Sequence, residues 1–144
     1  MAKKICKVLV VEDHEGIRDV LGGALKLEGY DFTLVDSNGE VEDALDHGGH
    51  DVVVIDLPLI KGDPFSLAAT AKMKGLGVIL TSGDQRLFQR IETSGHRHIR
   101  KPFMLDQLLP LIDRVLRELA IRCVRRRERD HAREAAPRRR AGRR

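Results

Sequence analysis

The sequence predicts an α/β fold, a doubly wound five-stranded parallel sheet with five helices. Two observations carry this. Short β-branched runs alternate five times with helical patterns across residues 1–121, over connections that suit only right-handed crossovers onto one sheet. The central run Val52-Val53-Val54-Ile55 is apolar at every position, as a strand covered on both faces must be.

Each element has its own signal. Residues 5–11 read as a buried strand ended by Glu12 and Asp13. Ile17, Val20, Leu21, Ala24 and Leu25 recur at helical spacing and stop at Gly29. Residues 32–35 form a short second strand, and Val41, Ala44 and Leu45 mark a helix before Gly48-Gly49. The third strand covers 51–56, and a loop with Pro58 and Gly62 leads to a helix over 65–74. Residues 77–81 give a fourth strand, 86–93 a weakly patterned helix, and 96–100 a polar strand suited to a sheet edge. The last helix has the clearest stripe, Leu105, Leu108, Leu109, Ile112, Val115, Leu116 and Leu119. Pro110 fits there if Asp106 caps the helix and places the proline in or near its first turn. The architecture is of flavodoxin-like type, strand order 2-1-3-4-5.

Composition narrows the function. The 144 residues carry 3% aromatics and no Trp, which leaves few rings for stacking on bases or flavins. No apolar run exceeds four residues, against the roughly 20 of a membrane-spanning helix. No secretory signal opens the chain. Cys6 and Cys123 have no metal or CxxC spacing, and Cys6 is expected as a buried core thiol in a cytoplasmic, reducing setting. Residues 122–144 hold eleven arginines against three acids, a net of +8, which leaves −4 on residues 1–121 of a chain totalling +4. The expected division is therefore a globular domain over 1–121 and an arginine-rich extension over 122–144, partly helical and then disordered.

Open parallel sheets bind ligands beyond the carboxyl ends of their strands. There the first strand ends in Glu12-Asp13, the third in Asp56, the fourth in Thr81-Ser82-Gly83 and the fifth in Lys101-Pro102. Converging carboxylates repel unless a cation neutralises them, and a hard divalent ion such as Mg²⁺ takes oxygen ligands. The expected ligands are Asp13 and Asp56 directly, Glu12 through water, and the Pro58 carbonyl. Asp56 is then a nucleophile suited to accepting phosphoryl as aspartyl phosphate. Lys101 and the Thr81 hydroxyl are placed to hold two phosphoryl oxygens.

These pieces, Val10-Val11-Glu12-Asp13, Val53-Val54-Ile55-Asp56-Leu57, Ile79-Leu80-Thr81-Ser82-Gly83 and Lys101-Pro102-Phe103, resemble the receiver domain of two-component response regulators in order and spacing. The resemblance implies a phosphorelay phosphoprotein, not an enzyme beyond its own phosphotransfer and slow dephosphorylation. It implies transfer to Asp56 with Mg²⁺ from a sensor histidine kinase or histidine phosphotransfer protein, and a cis bond before Pro102. Signalling would be by protein contact, and a homodimer through the fourth-helix, fifth-strand and fifth-helix face is a further expectation. Two positions depart from the family pattern. The loop after the acceptor reads Leu57-Pro58-Leu59 in place of Met-Pro, and His98 stands where the family usually has Tyr or Phe.

The remaining histidines carry no chemistry in this reading. His47 and His50 are assigned to an exposed turn, and His14 to the pocket rim. The pairs Glu118–Arg122 and Arg126–Asp130 have i,i+4 spacing that would extend the last helix. The extension gives the main alternative, a receiver-regulated, non-specific nucleic-acid binder, less favoured than the phosphoacceptor. An aspartate-nucleophile phosphohydrolase ranks below it, since position 58 is Pro and not a second carboxylate.

Overall fold

In the computed structural model, which describes residues 6–136 apart from the side chains of Cys123 and Val124, five strands form one sheet. They are β1 (Lys7–Val11), β2 (Asp31–Val35), β3 (Val52–Leu57), β4 (Gly77–Ser82) and β5 (Arg97–Arg100), all parallel in the order β2-β1-β3-β4-β5. The helices are α1 (Glu15–Leu27), α2 (Val41–His47), α3 (Pro64–Met73), α4 (Phe88–Thr93) and α5 (Leu105–Ala135), with a 3₁₀ turn, Gln85–Leu87, before α4. The flavodoxin-like class and strand order are as the sequence predicts.

Alternation along the strands creates two cores. Val8 and Val10 of β1, with Val52, Val54 and Ile79, face Leu21 and Leu25 of α1 and Leu108, Ile112 and Val115 of α5. Leu9 and Val11, with Val53, Ile55 and Leu80, face Val41 and Leu45 of α2, Ala68 and Ala71 of α3, and Ile91 of α4. Successive side chains point to opposite sides of a sheet, so an all-apolar strand is the one that serves both layers. Each fully buried aliphatic side chain contributes about 1.5–3 kcal/mol.

Local chemistry sets the helix ends. The Asp63 carboxylate accepts from Phe65 N at 3.0 Å, and Pro64 occupies the first turn of α3, where its missing N–H costs nothing. Gly29 ends α1 at φ +81°, a backbone region that side-chain-bearing residues avoid.

Several expectations need correction. Asp106 does not cap α5: the cap residue is Met104, whose N–H donates to Gln107 Oε1 at 2.9 Å. Pro110 therefore sits in the second turn and cannot give the backbone hydrogen bond to residue 106. Cys6 is only half-buried, just before the start of β1. His50 is not in an exposed turn; it is 9% exposed, with Nδ1 donating to the Ala44 carbonyl at 3.1 Å and Nε2 accepting from Thr33 Oγ1 at 2.9 Å. The carbonyl can only accept, which puts a proton on Nδ1, and burial, which lowers the ring's pKa, favours the neutral form with Nε2 free to accept. α5 continues past residue 121 to Ala135, yet Glu118 pairs with Arg97 of β5 at 2.5 Å and not with Arg122. The expectation of disorder after Pro137 lies outside the described residues.

Candidate functional site

Parallel strands all finish on one edge of a sheet, and here the polar residues gather on that edge. Register brings the first pair together, because Asp56 and Thr81 are directly opposed on β3 and β4. Thr81 Oγ1 donates to Asp56 Oδ1 at 3.1 Å. Lys101 leaves the end of β5 with its N–H on the Ser82 carbonyl at 2.8 Å. Its ammonium reaches Asp56 Oδ1 at 2.8 Å and Glu12 Oε2 at 3.2 Å. Glu12 is itself buried, its N–H bonded to Val35 O at 3.0 Å and its carbonyl held by the Arg18 guanidinium at 2.7 Å. Thus Glu12, Asp56, Thr81 and Lys101 form one contiguous cluster. Ser82 is buried beside it and accepts from Asp84 N at 3.1 Å.

Asp13 is turned to different partners. Its Oδ1 accepts from Ser37 N at 2.7 Å, and its Oδ2 accepts from Ser37 Oγ at 3.0 Å and Ile60 N at 2.8 Å. Lys61 N in turn donates to Ser37 Oγ at 3.0 Å, tying the loop after β3 to the loop after β2. Pro58 follows β3 in that loop through a cis peptide bond, and Lys101–Pro102 is also cis, as expected.

The electrostatics follow from this crowding. Burial pushes the Asp56 carboxyl up to about 6, Lys101 works against the rise, and the Glu12 charge adds to it. Burial also opposes charge on Lys101, but the hydrogen bond and charge of Asp56, with Glu12, outweigh it and hold the ammonium above its ordinary range. At Asp13 burial is likewise outweighed, here by the Ser37 and Ile60 hydrogen bonds, and its carboxyl is held below the usual value.

Among the described residues no three His, Cys, Asp or Glu side chains are grouped as a ready metal cage. The donor types nevertheless fit a hard cation. Two carboxylates, Glu12 and Asp56, share a single ammonium, so the cluster carries one more negative than positive charge when both are ionised. Asp13 has three accepted hydrogen bonds, which leaves one of its roughly four lone-pair sites open.

Nothing in the sequence singles out the Ile60 amide, whereas Ser37 carries a signal, since it follows the end of β2 on the same rim. His14, placed on that rim, caps α1 by accepting from Ile17 N at 3.3 Å. His98 is exposed on β5, its Nδ1 on the His96 carbonyl at 3.2 Å.

Residues 8–113 match the family described as the response regulator receiver domain. The chain belongs to that family. Among curated relatives, this receiver domain is 29% identical over 118 residues to the swarming motility regulation protein RssB of Serratia marcescens, covering 78% of this chain and 54% of that one. It is 28% identical over 114 residues to the sensory transduction protein RegX3 of Mycobacterium bovis, covering 76% and 50%. The chain thus spans about half the length of these relatives. Among solved structures, the CheY-like receiver domain protein of Methanospirillum hungatei JF-1 superposes with a TM-score of 0.75 at 22% identity, over 83% of this chain and 99% of that one. A receiver domain from Sinorhizobium medicae WSM419 gives 0.73 at 20% identity, over 81% and 98%. At this identity the likeness shows the fold. Family membership places the receiver in two-component signalling. Among the described residues no helix is long and apolar enough to cross a membrane.

Proposed function

We propose that this receiver is a phosphoacceptor, with Asp56 taking phosphoryl from the phosphohistidine of a sensor histidine kinase or a histidine phosphotransfer protein. The observation that supports this best is the convergence of Lys101 Nζ and Thr81 Oγ1 on one oxygen of Asp56, at 2.8 and 3.1 Å. An Asp56 oxygen forms the new P–O bond as the donor P–N bond breaks, and the departing imidazole nitrogen takes a proton from solvent. Lys101 neutralises charge on the incoming phosphoryl oxygens, and Thr81 is freed to donate to one of them. Glu12, Asp13, Asp56 and the Pro58 carbonyl are the oxygens that would hold Mg²⁺, which when bound offsets part of the charge on the phosphoryl group.

The acyl phosphate replaces a single charge by roughly two. The Thr81 hydroxyl would then shift from Asp56 towards the phosphoryl group, altering the surface of α4, β5 and α5 for protein contact or homodimerisation. A cytoplasmic setting and a division between receiver (1–121) and extension (122–144) belong to this reading. Incubation with a panel of phosphorylated histidine kinases and Mg²⁺, followed by intact mass, tests it. Transfer to the wild type and none to Asp56→Asn is expected. Steady hydrolysis of small phosphate esters without a persistent phosphoprotein would favour a phosphohydrolase instead.

A further inference from the structure

The edge of the sheet opposite Asp56 carries a second concentration of charge, of opposite sign. Gly77 and Arg97 are the first residues of β4 and β5, and with Lys72, His96, Arg114 and Arg122 they line a cleft of about 660 Å³. Glu92 and Glu118 also line it, but Glu118 is engaged by Arg97.

The cleft is the root of a longer feature. Leu108, Val115, Arg122 and Arg129 recur every seven residues along α5, as do Ile112, Leu119, Arg126 and Arg133. Seven residues are close to two helical turns, so all eight follow one side of the helix. Leu108, Ile112 and Val115 are buried against the sheet, and from Ala120 to Ala136 every described side chain is exposed. The face that packs on the sheet thus runs beyond its edge as arginine, over about 17 Å from Arg122 to Arg133. Among the described residues none of these four guanidinium groups has an ion-pair partner. Like charges at i,i+4 spacing oppose helix formation, and a helix leaving its core loses the packing that stabilises it. A polyanion lying along the stripe would offset both costs.

We propose that the arginine stripe of α5, with the cleft at its root, binds the phosphate backbone of nucleic acid without sequence preference. Protein interfaces are anchored by buried aromatic and apolar side chains, and residues 120–136 contain no Phe, Tyr or Trp and, besides Ile121, Cys123, Val124 and His131, only alanine and charged residues. Arginine suits phosphate through paired N–H donors. Without aromatics the surface has no stacking platform for bases. This inference is independent of the chemistry at Asp56.

The test is fluorescence anisotropy of the full chain with a short labelled duplex of arbitrary sequence, across a salt series. Four phosphate contacts predict that log K falls with log salt at a slope steeper than about −3.6 if residues 137–144 add contacts, and near it if they do not. The R122Q/R126Q/R129Q/R133Q variant, its fold checked by circular dichroism, should flatten the slope by about 3.6, and the corresponding lysine variant should retain it. The proposal is overturned if the wild type does not bind at low salt. It is equally overturned if the glutamine variant keeps the full slope, which would place binding on residues 137–144, or if polyglutamate binds more tightly than the duplex, which would indicate an acidic protein partner.

Discussion

Lys101 Nζ stands 2.8 Å from Asp56 Oδ1, and the same ammonium serves Glu12 at 3.2 Å. One cation is thereby divided between two carboxylates in a largely buried corner of the sheet. Under the proposed phosphoacceptor function, a divalent cation held here would add its charge to that of Lys101, while burial alone already disfavours the ionised Asp56 carboxylate.

Replacing Asp56 by Asn should therefore stabilise the metal-free protein near pH 7. A carboxyl raised from 3.8 to about 6 in the fold ionises more readily in the unfolded chain. Stability is lost as pH rises between those two values, and the penalty is complete above about 6. Urea unfolding in EDTA should give the variant an advantage of about 1–3 kcal/mol at neutral pH, shrinking as pH falls towards 4. An advantage that is absent at pH 7, or that grows in acid, would contradict the electrostatic picture.

Ser37→Ala should strengthen Mg²⁺ binding. The serine hydroxyl donates to Asp13 Oδ2 at 3.0 Å, and that bond draws electron density from the carboxylate that would hold the ion at its open lone-pair site. Removing a hydrogen bond of about 0.5–1.5 kcal/mol gives a gain of about two- to tenfold by titration calorimetry. Weaker binding would mean that Ser37 orients Asp13 for the metal.

His50 should make the fold sensitive to mild acid. Burial is the largest cause of its lowered pKa, and the neutral ring satisfies both Ala44 and Thr33. Its contribution is fully present above the unfolded value of about 6.5 and is lost as pH falls through the depressed folded value. Thermal melts from pH 7.5 to 5 should show a decline in the wild type that is shallower in His50→Gln.

Gly77→Ala tests the seat of α5. A Cβ at Gly77 would run into the Val115 side chain, with Leu119 Cδ1 at 3.1 Å and Val52 Cγ2 at 3.2 Å. Overpacking of this kind costs about 1–3 kcal/mol, measurable as a lowered denaturation midpoint.

The parts of this molecule that were legible in its sequence are those with a period or a fixed topological place. Val52 to Ile55 announce a central strand because both faces need apolar side chains, and strand ends in a parallel sheet converge whatever the loops do. The meeting of Asp56, Thr81 and Lys101 is legible in that way. The Asp13 partners are not, because the aim of the Ile60 amide depends on loop geometry that leaves no periodic trace. His50 resembled a turn residue beside two glycines, yet Gly49, at φ +66°, turns the chain back so that the ring meets Ala44 and Thr33. The start of α5 was misplaced because Met104 has no typical capping side chain, and the signal lay three residues on, in Gln107. Glu118 has the correct spacing for Arg122, but tertiary proximity to Arg97 prevailed.

The most direct test of the central claim is incubation with acetyl phosphate and Mg²⁺, read by intact mass and by peptide mapping after borohydride trapping. One phosphoryl group per chain, mapped to Asp56 and absent from Asp56→Asn, is the predicted result. Undiminished labelling of Asp56→Asn, or labelling mapped to another residue, would contradict it.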